Sequence, residues 1–239
     1  MKSLKVLLIA IICLSVTSCI NGQEHKSVRG NGNVVKKERP ASPFTGIRVK
    51  TGIDVYLKQG DKESITVEAD ENLHEYILTE IQGGILNIYT EAWIREADRK
   101  RVYVTMKDVK SIKTSSAGDI VGETPIKCED IEIGTSSAGN IRLEVYGKKI
   151  DVNVSSAGDV TLSGEGESLS ADLSSAGNFD ASNLKVKEAE VSASSAGDAR
   201  VNVSEKLVAR ASSAGDITYK GDPKYVDAHS SSAGSIHKR

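Results

Sequence analysis

The chain has 239 residues, 38% of them apolar, and its 31 Lys and Arg nearly balance 33 Asp and Glu, for a formal charge of −2. That balance argues against a nucleic-acid partner, which calls for a basic face. An aromatic content of 4%, with a single tryptophan, argues against an aromatic-lined sugar cleft.

Lys2 and Lys5 precede an apolar run over residues 6–14, long enough for a signal sequence and too short to span a bilayer. Val16-Thr17-Ser18-Cys19 follows and resembles the bacterial lipobox, in which the cysteine thiol carries a diacylglycerol. Residues 1–19 are thus expected to be a lipoprotein signal ending at the lipidated Cys19, which ties the chain to a membrane. The part from Cys19 onward carries 29 Lys and Arg and a formal charge of −4, since Lys2 and Lys5 leave with the signal. Residues 20–33, polar and rich in Gly and Asn, form a tether.

Residues 34–110 form an N-terminal β part. Ile47 and Val49, then Ile53, Val55 and Leu57, then Ile65 and Val67, alternate as strands with one buried face do. Gly52 marks a bend, and residues 70–76 hold one helical turn with Asp70 as its N-cap. The segment over residues 90–100 is long and varied. Its Trp93, Arg95 and Arg99 are the best candidates for contact with a sugar or another partner. Cys128, the only cysteine after Cys19, has no mate for a disulfide and is expected to be a small buried residue.

Residues 111–239 are repetitive. Ser-Ser-Ala-Gly followed by Asp, Asn or Ser begins at Ser115, Ser136, Ser155, Ser174, Ser194, Ser212 and Ser231, at spacings of 21, 19, 19, 20, 18 and 19 residues. A near-constant period of that length means stacked units. Apolar residues at every second position on both sides of each pentapeptide give two short strands per unit, with a second bend in a polar loop such as residues 163–167 or 221–224. One bend conformation that serves every unit favours a parallel β-helix with rungs of ~19–20 residues over an array of hairpins, because equivalent residues then stack ~4.8 Å apart. Gly118, Gly139, Gly158, Gly177, Gly197, Gly215 and Gly234 are expected to supply a backbone conformation disfavoured for side chains.

These segments resemble one family. Gly30-Asn-Gly-Asn-Val-Val, Phe44-Thr-Gly-Ile47, Gly52-Ile-Asp-Val-Tyr-Leu-Lys-Gln-Gly60, Glu68-Ala-Asp-Glu-Asn72 and Leu86-Asn-Ile88 are similar to the head GIN domain of auto-transporter adhesins, and the Ser-Ser-Ala-Gly-Asp units to its serine- and glycine-rich rungs. The resemblance implies a right-handed β-helix on a lipoprotein of the Gram-negative envelope, in the outer membrane, and little about activity.

No catalytic constellation stands out, and the chain is expected not to be an enzyme and to need no cofactor. His25, His74, His229 and His237 lack metal-ligand spacing and are expected at the surface. Seven equivalent serine pairs cannot all be nucleophiles, and no helix follows them as a nucleophile elbow requires. The fifth position runs Asp119, Asn140, Asp159, Asn178, Asp198, Asp216, Ser235. Carboxylates ~5 Å apart in water repel by ~0.8 kcal/mol, so alternation with Asn is expected to relieve the stack and bond the local backbone. Asp198 and Asp216, adjacent in the series, are a weak candidate for a cation. The leading expectation is a non-catalytic envelope lipoprotein whose polar face meets a macromolecule. A carbohydrate-binding or carbohydrate-modifying β-helix is the alternative. The short basic end, His237-Lys238-Arg239, is expected to keep two open ends apart by repulsion.

Overall fold

The structure is a computed structural model and describes residues 26–239. The leader, Cys19 and residues 20–25 of the expected tether lie outside the described residues. The N-terminal part comprises β1 (Ser27–Arg29), β2 (Val34–Arg39), β3 (Gly46–Val49), β4 (Asp54–Gln59), β5 (Ser64–Asp70), β6 (Ile77–Gln82), β7 (Ile85–Thr90), β8 (Trp93–Glu96) and β9 (Lys100–Met106). The first repeats add β10 (Ser111–Thr114), β11 (Asp119–Gly122), β12 (Ile126–Lys127) and β13 (Asp130–Thr135). Four long strands follow: β14 (Asn140–Val154), β15 (Asp159–Leu173), β16 (Asn178–Ala193) and β17 (Asp198–Ala211). The last are β18 (Asp216–Lys220), β19 (Tyr225–Ser230) and β20 (Ser235–Lys238).

The molecule is a β-solenoid of about seven turns. One wall stacks β7, β3, β10, β13, the C-terminal halves of β14 to β17, and β19, all parallel. A second wall stacks β9, β4, β11, the N-terminal halves of β14 to β17, β18 and β20, again parallel. The Ser-Ser-Ala-Gly corner joins the walls. Inward positions repeat on every rung, so Ile, Val, Leu and Ala form buried columns. One column runs Val49, Thr114, Thr135, Val154, Leu173, Ala193, Ala211, and another Ile141, Val160, Phe179, Ala199, Ile217.

Two strands per rung is one boundary too many for the middle of the stack. In the middle rungs the second bend stays in the ladder: Glu144 to Gly147 pair with Ser163 to Gly166, and the rung is one curved strand of 14–16 residues. Unequal rung lengths are absorbed there by bulges, between Thr161 and Ser163 and again between Asp180 and Glu188, where a polar side chain can swing out of register without disturbing the core columns. The first repeat rung breaks between β11 and β13, and the last full rung at the bend foreseen, between β18 and β19 at Gly221.

The N-terminal part is more than worn repeats. β5 runs antiparallel to both β2 and β9, and β6 antiparallel to β7, so both walls end there in reversed strands. Asp70 does not cap the single 3₁₀ turn at Glu71–Leu73; its side chain makes no capping hydrogen bond. Its carboxylate instead accepts the amides of Gly32, at 3.0 Å, and of Asp98 and Arg99, at 3.1 and 3.2 Å. Asn72 joins it, accepting the Asn31 amide and donating to the Arg29 carbonyl. Two motifs noted in the sequence, Gly30-Asn-Gly-Asn and Ala-Asp-Glu-Asn72, therefore fasten to each other. A Cβ on Gly30 would fall on the Asp70 carboxylate.

Candidate functional site

The corner stack comes first, because it places everything else. The expectation for its glycines is overturned. The left-handed residues are the second Ser and the Ala of each pentapeptide, such as Ser156 (φ 54°) and Ala157 (φ 62°), while none of the seven pentapeptide glycines has positive φ. In six corners the Gly amide donates back to the first Ser carbonyl at 2.8–3.3 Å, closing a four-residue turn whose two central residues are both left-handed. The Ala amide donates to the second-Ser carbonyl of the next corner at 3.0–3.2 Å, so the turn itself continues the ladder. Glycine is required for space. It faces inward, and a Cβ on Gly158 would lie 2.6 Å from Thr135 Cγ2. Thr51 and Gly52 (φ 66° and 58°) form an eighth, leading corner, and the Gly52 amide donates to Ser116 O at 2.9 Å. There the inward place is filled by the buried Ile53.

Beside the corners runs the polar stripe. Asn140 donates to Asp119 at 2.7 Å, Asn178 to Asp159 at 2.8 Å, and Ser235 to Asp216 at 2.7 Å. The bonds run between rungs rather than to the local backbone, because neighbours one rung apart sit closer to these short side chains than any free amide. The leading corner adds a member that the pentapeptide search missed. Asp54 lies in register beside Asp119, and burial first, then the Asp119 charge, raises its carboxyl above the usual range against the pull of Lys100 and Arg101. The signal was Asp54 standing two residues after Gly52, one more than in the pentapeptide, because the leading corner has Ile where the others have Gly. Asp198 and Asp216 are rung neighbours, and the Arg200 guanidinium lies 3.3 Å from Asp198. Among the described residues no three His, Cys, Asp or Glu side chains are grouped to hold a metal, so that pair has no third ligand.

On the opposite side of the corners lies a groove of about 770 Å³, bordered by the first serines Ser115, Ser136, Ser155, Ser174 and Ser194. Its floor is the outward column Arg48, Lys113, Gly134, Asn153, Asp172, Ser192, each in register with the next. The lining carries hydroxyl, amide and charged side chains beside Val154 and Leu173, and no aromatic ring.

Trp93 is 68% exposed, on β8 at the N-terminal end. A hollow of about 610 Å³ beside it is lined by Thr51, Gly52, Ala92, Ile94, Lys100 and Ala117, among others. Arg95 and Arg99 are exposed and do not line it, so the structure separates the three candidates and substitutes Lys100. Alternation along a strand could not foresee this, since Lys100 belongs to the next strand and enters through β4 pairing.

His74 is buried, contrary to expectation. Its Nε2 lies 3.1 Å from Val35 O, its Nδ1 has no partner, and burial holds its pKa below the usual histidine range. Cys128 is half-buried against the core, with its thiol pushed up to about 11 by burial and by Asp130 and Glu129, so it stays protonated. The C-terminal residues are no loose basic tail. Lys238 pairs with Asp222 at 2.7 Å and the Arg239 amide donates to Tyr219 O, which makes them part of the final rung.

Solved structures of similar shape come from Bacteroides and Parabacteroides. A "putative adhesin" of Bacteroides fragilis is 21% identical, with a TM-score of 0.84 over 89% of this chain and 100% of the other. A "putative adhesin" of Parabacteroides merdae is 22% identical, at 0.75 over 90% and 99%. A "Putative lipid binding protein" of Parabacteroides distasonis is 25% identical, at 0.75 over 90% and 100%. No curated protein matches the chain significantly. Residues 43–223, most of the solenoid, match the model of the family described as "Putative auto-transporter adhesin, head GIN domain", and the chain belongs to that family.

Proposed function

We propose that the chain is a non-catalytic lipoprotein of the cell envelope, tied by lipid at Cys19, that holds a rigid polar face against a macromolecular partner. The supporting observation is the groove along the first serines. Its floor residues stand in register over successive rungs, so a linear polymer lying in it meets polar side chains at one ladder spacing, with a gap at Gly134. A floor without aromatic rings favours a peptide over a sugar, whose apolar faces call for stacking.

The groove can be filled without harm to the core. A Cβ on Gly134 meets nothing nearer than 3.6 Å. The full chain is screened against immobilised matrix proteins and polysaccharides by surface plasmon resonance, beside Gly134→Arg. Binding to a protein that falls at least tenfold in the variant, with melting unchanged, is the expected result. Equal binding by both chains removes the groove from the function.

A further inference from the structure

We infer that the N-terminal end of the solenoid rests on the lipid surface itself, with Trp93 at the boundary between headgroups and acyl chains. The inference builds on the lipid anchor at Cys19 proposed above. Only seven peptide units separate Cys19 from Lys26, a span of at most ~25 Å at ~3.6 Å per residue, whatever path they take. Lys26 is not free to wander: its carbonyl accepts the Trp93 amide at 2.9 Å, and Ser27 pairs with Trp93 in the parallel ladder of β1 and β8. The anchor and the tryptophan are thereby held at one end. The last corner lies seven stacking steps from the leading one, roughly 34 Å away at ~4.8 Å per step, beyond the reach of the tether.

The chemistry of that end fits a bilayer surface. Trp93 is the most exposed large apolar side chain among the described residues. An indole in water over an apolar hollow is well matched to the interface, where its ring meets acyl carbon and its N–H meets headgroup oxygen. Arg95 stands two positions along the same strand and so on the same face. Glu96 is already paired with Arg29 at 3.1 Å, whereas Arg95, Arg99 and Lys100 have no carboxylate within 4.0 Å among the described residues. Those three cations suit lipid phosphates.

Trp93 is the chain's one tryptophan, so its emission reports this contact alone. The full chain, processed and purified from membranes, is reconstituted in phosphatidylethanolamine–phosphatidylglycerol vesicles, with or without a nitroxide-labelled lipid near the headgroup. A blue-shifted emission and at least twofold quenching by the labelled lipid are expected, both weakened by Arg95→Glu with Lys100→Glu. A second protein, Trp93→Phe with Tyr225→Trp, moves the reporter to the far end and should not be quenched. Vesicle flotation and the mass of the processed chain read the anchor separately. Flotation with an unquenched Trp93, or equal quenching of both reporters, overturns the docking while the anchor stands. A chain without lipid on Cys19 that does not float overturns the anchor, and the docking with it.

Discussion

At the scale of single residues, the corner reverses the ordinary roles of its amino acids. A left-handed conformation costs a residue with a Cβ roughly 1–2 kcal/mol, yet Ser156 and Ala157 adopt it while Gly158 beside them does not. The turn and ladder hydrogen bonds offset that cost on every rung. Ala157→Gly should therefore leave stability unchanged or raise it by up to about 1 kcal/mol, since relief of strain competes with the added chain entropy of glycine. Gly158→Ala should lower it by about 1–3 kcal/mol through overpacking on Thr135. Paired denaturant titrations decide this, and the opposite order would restore the conformational explanation for the glycine. The sequence showed where the corners are and that glycine is indispensable there. It could not show which residue bends, because a glycine kept for space and one kept for φ look alike in a string of letters. His74 was hidden for a similar reason: one histidine between Leu73 and Glu75 gives no sign of the Val35 carbonyl that meets it across the fold. Its depressed pKa means the unfolded chain takes up a proton that the folded one refuses. Stability should be full above the unfolded value near 6.5 and fall as pH drops below it. His74→Gln should flatten that part of the melting profile, and an unchanged slope between pH 7 and 5 would assign the loss to other groups.

Among elements, period-two alternation told the walls from the loops, and the repeat told that the walls are parallel. The continuous strands β14 to β17 escaped notice because their second bend is made of polar and glycine residues that resemble a loop but keep their ladder bonds. The reversed strands β2, β5 and β6 escaped because a buried face alternates identically whichever way its neighbour runs. The polar stripe was legible as composition, and its cross-rung bonding emerged only with the register. Asn140 separates Asp119 from Asp159 and donates to the former. Asn140→Asp would place carboxylates on the leading four rungs in a row, from Asp54 to Asp159, and lose a hydrogen bond. We expect a loss of about 1–2 kcal/mol in low salt, part of it recovered at 1 M salt, where screening acts within ~3 Å. A salt-independent loss would mean that the hydrogen bond matters and the charge does not.

For the molecule as a whole, the two ends are unlike. The N-terminal end is closed by antiparallel strands and by the Asp70 and Asn72 fastening. Toward the other end the buried column beside the corners shrinks, as Leu173 gives way to Ala193 and Ala211, and β19 leaves Tyr225 and Val226 exposed. Apolar burial stabilises by ~25 cal/mol per Å², so the last rungs, smaller at the corner and open at β19, are held more weakly than the middle ones. In a linear stack, where a rung touches only its neighbours, that difference gives the molecule a direction under load. A partner gripping the far rungs while the lipid holds the near end would pull along the stack. The rungs should then peel singly from β19 backwards, each releasing ~19 residues or roughly 65 Å of contour, before the fastened end yields. Single-molecule pulling between residue 26 and the C-terminus should show a ladder of small, similar steps followed by one larger rupture. A single all-at-once event would mean that the rungs share load cooperatively. Graded peeling would make the weaker far end a shock absorber: an anchored cell would give ground by rungs, under shear, without losing its hold.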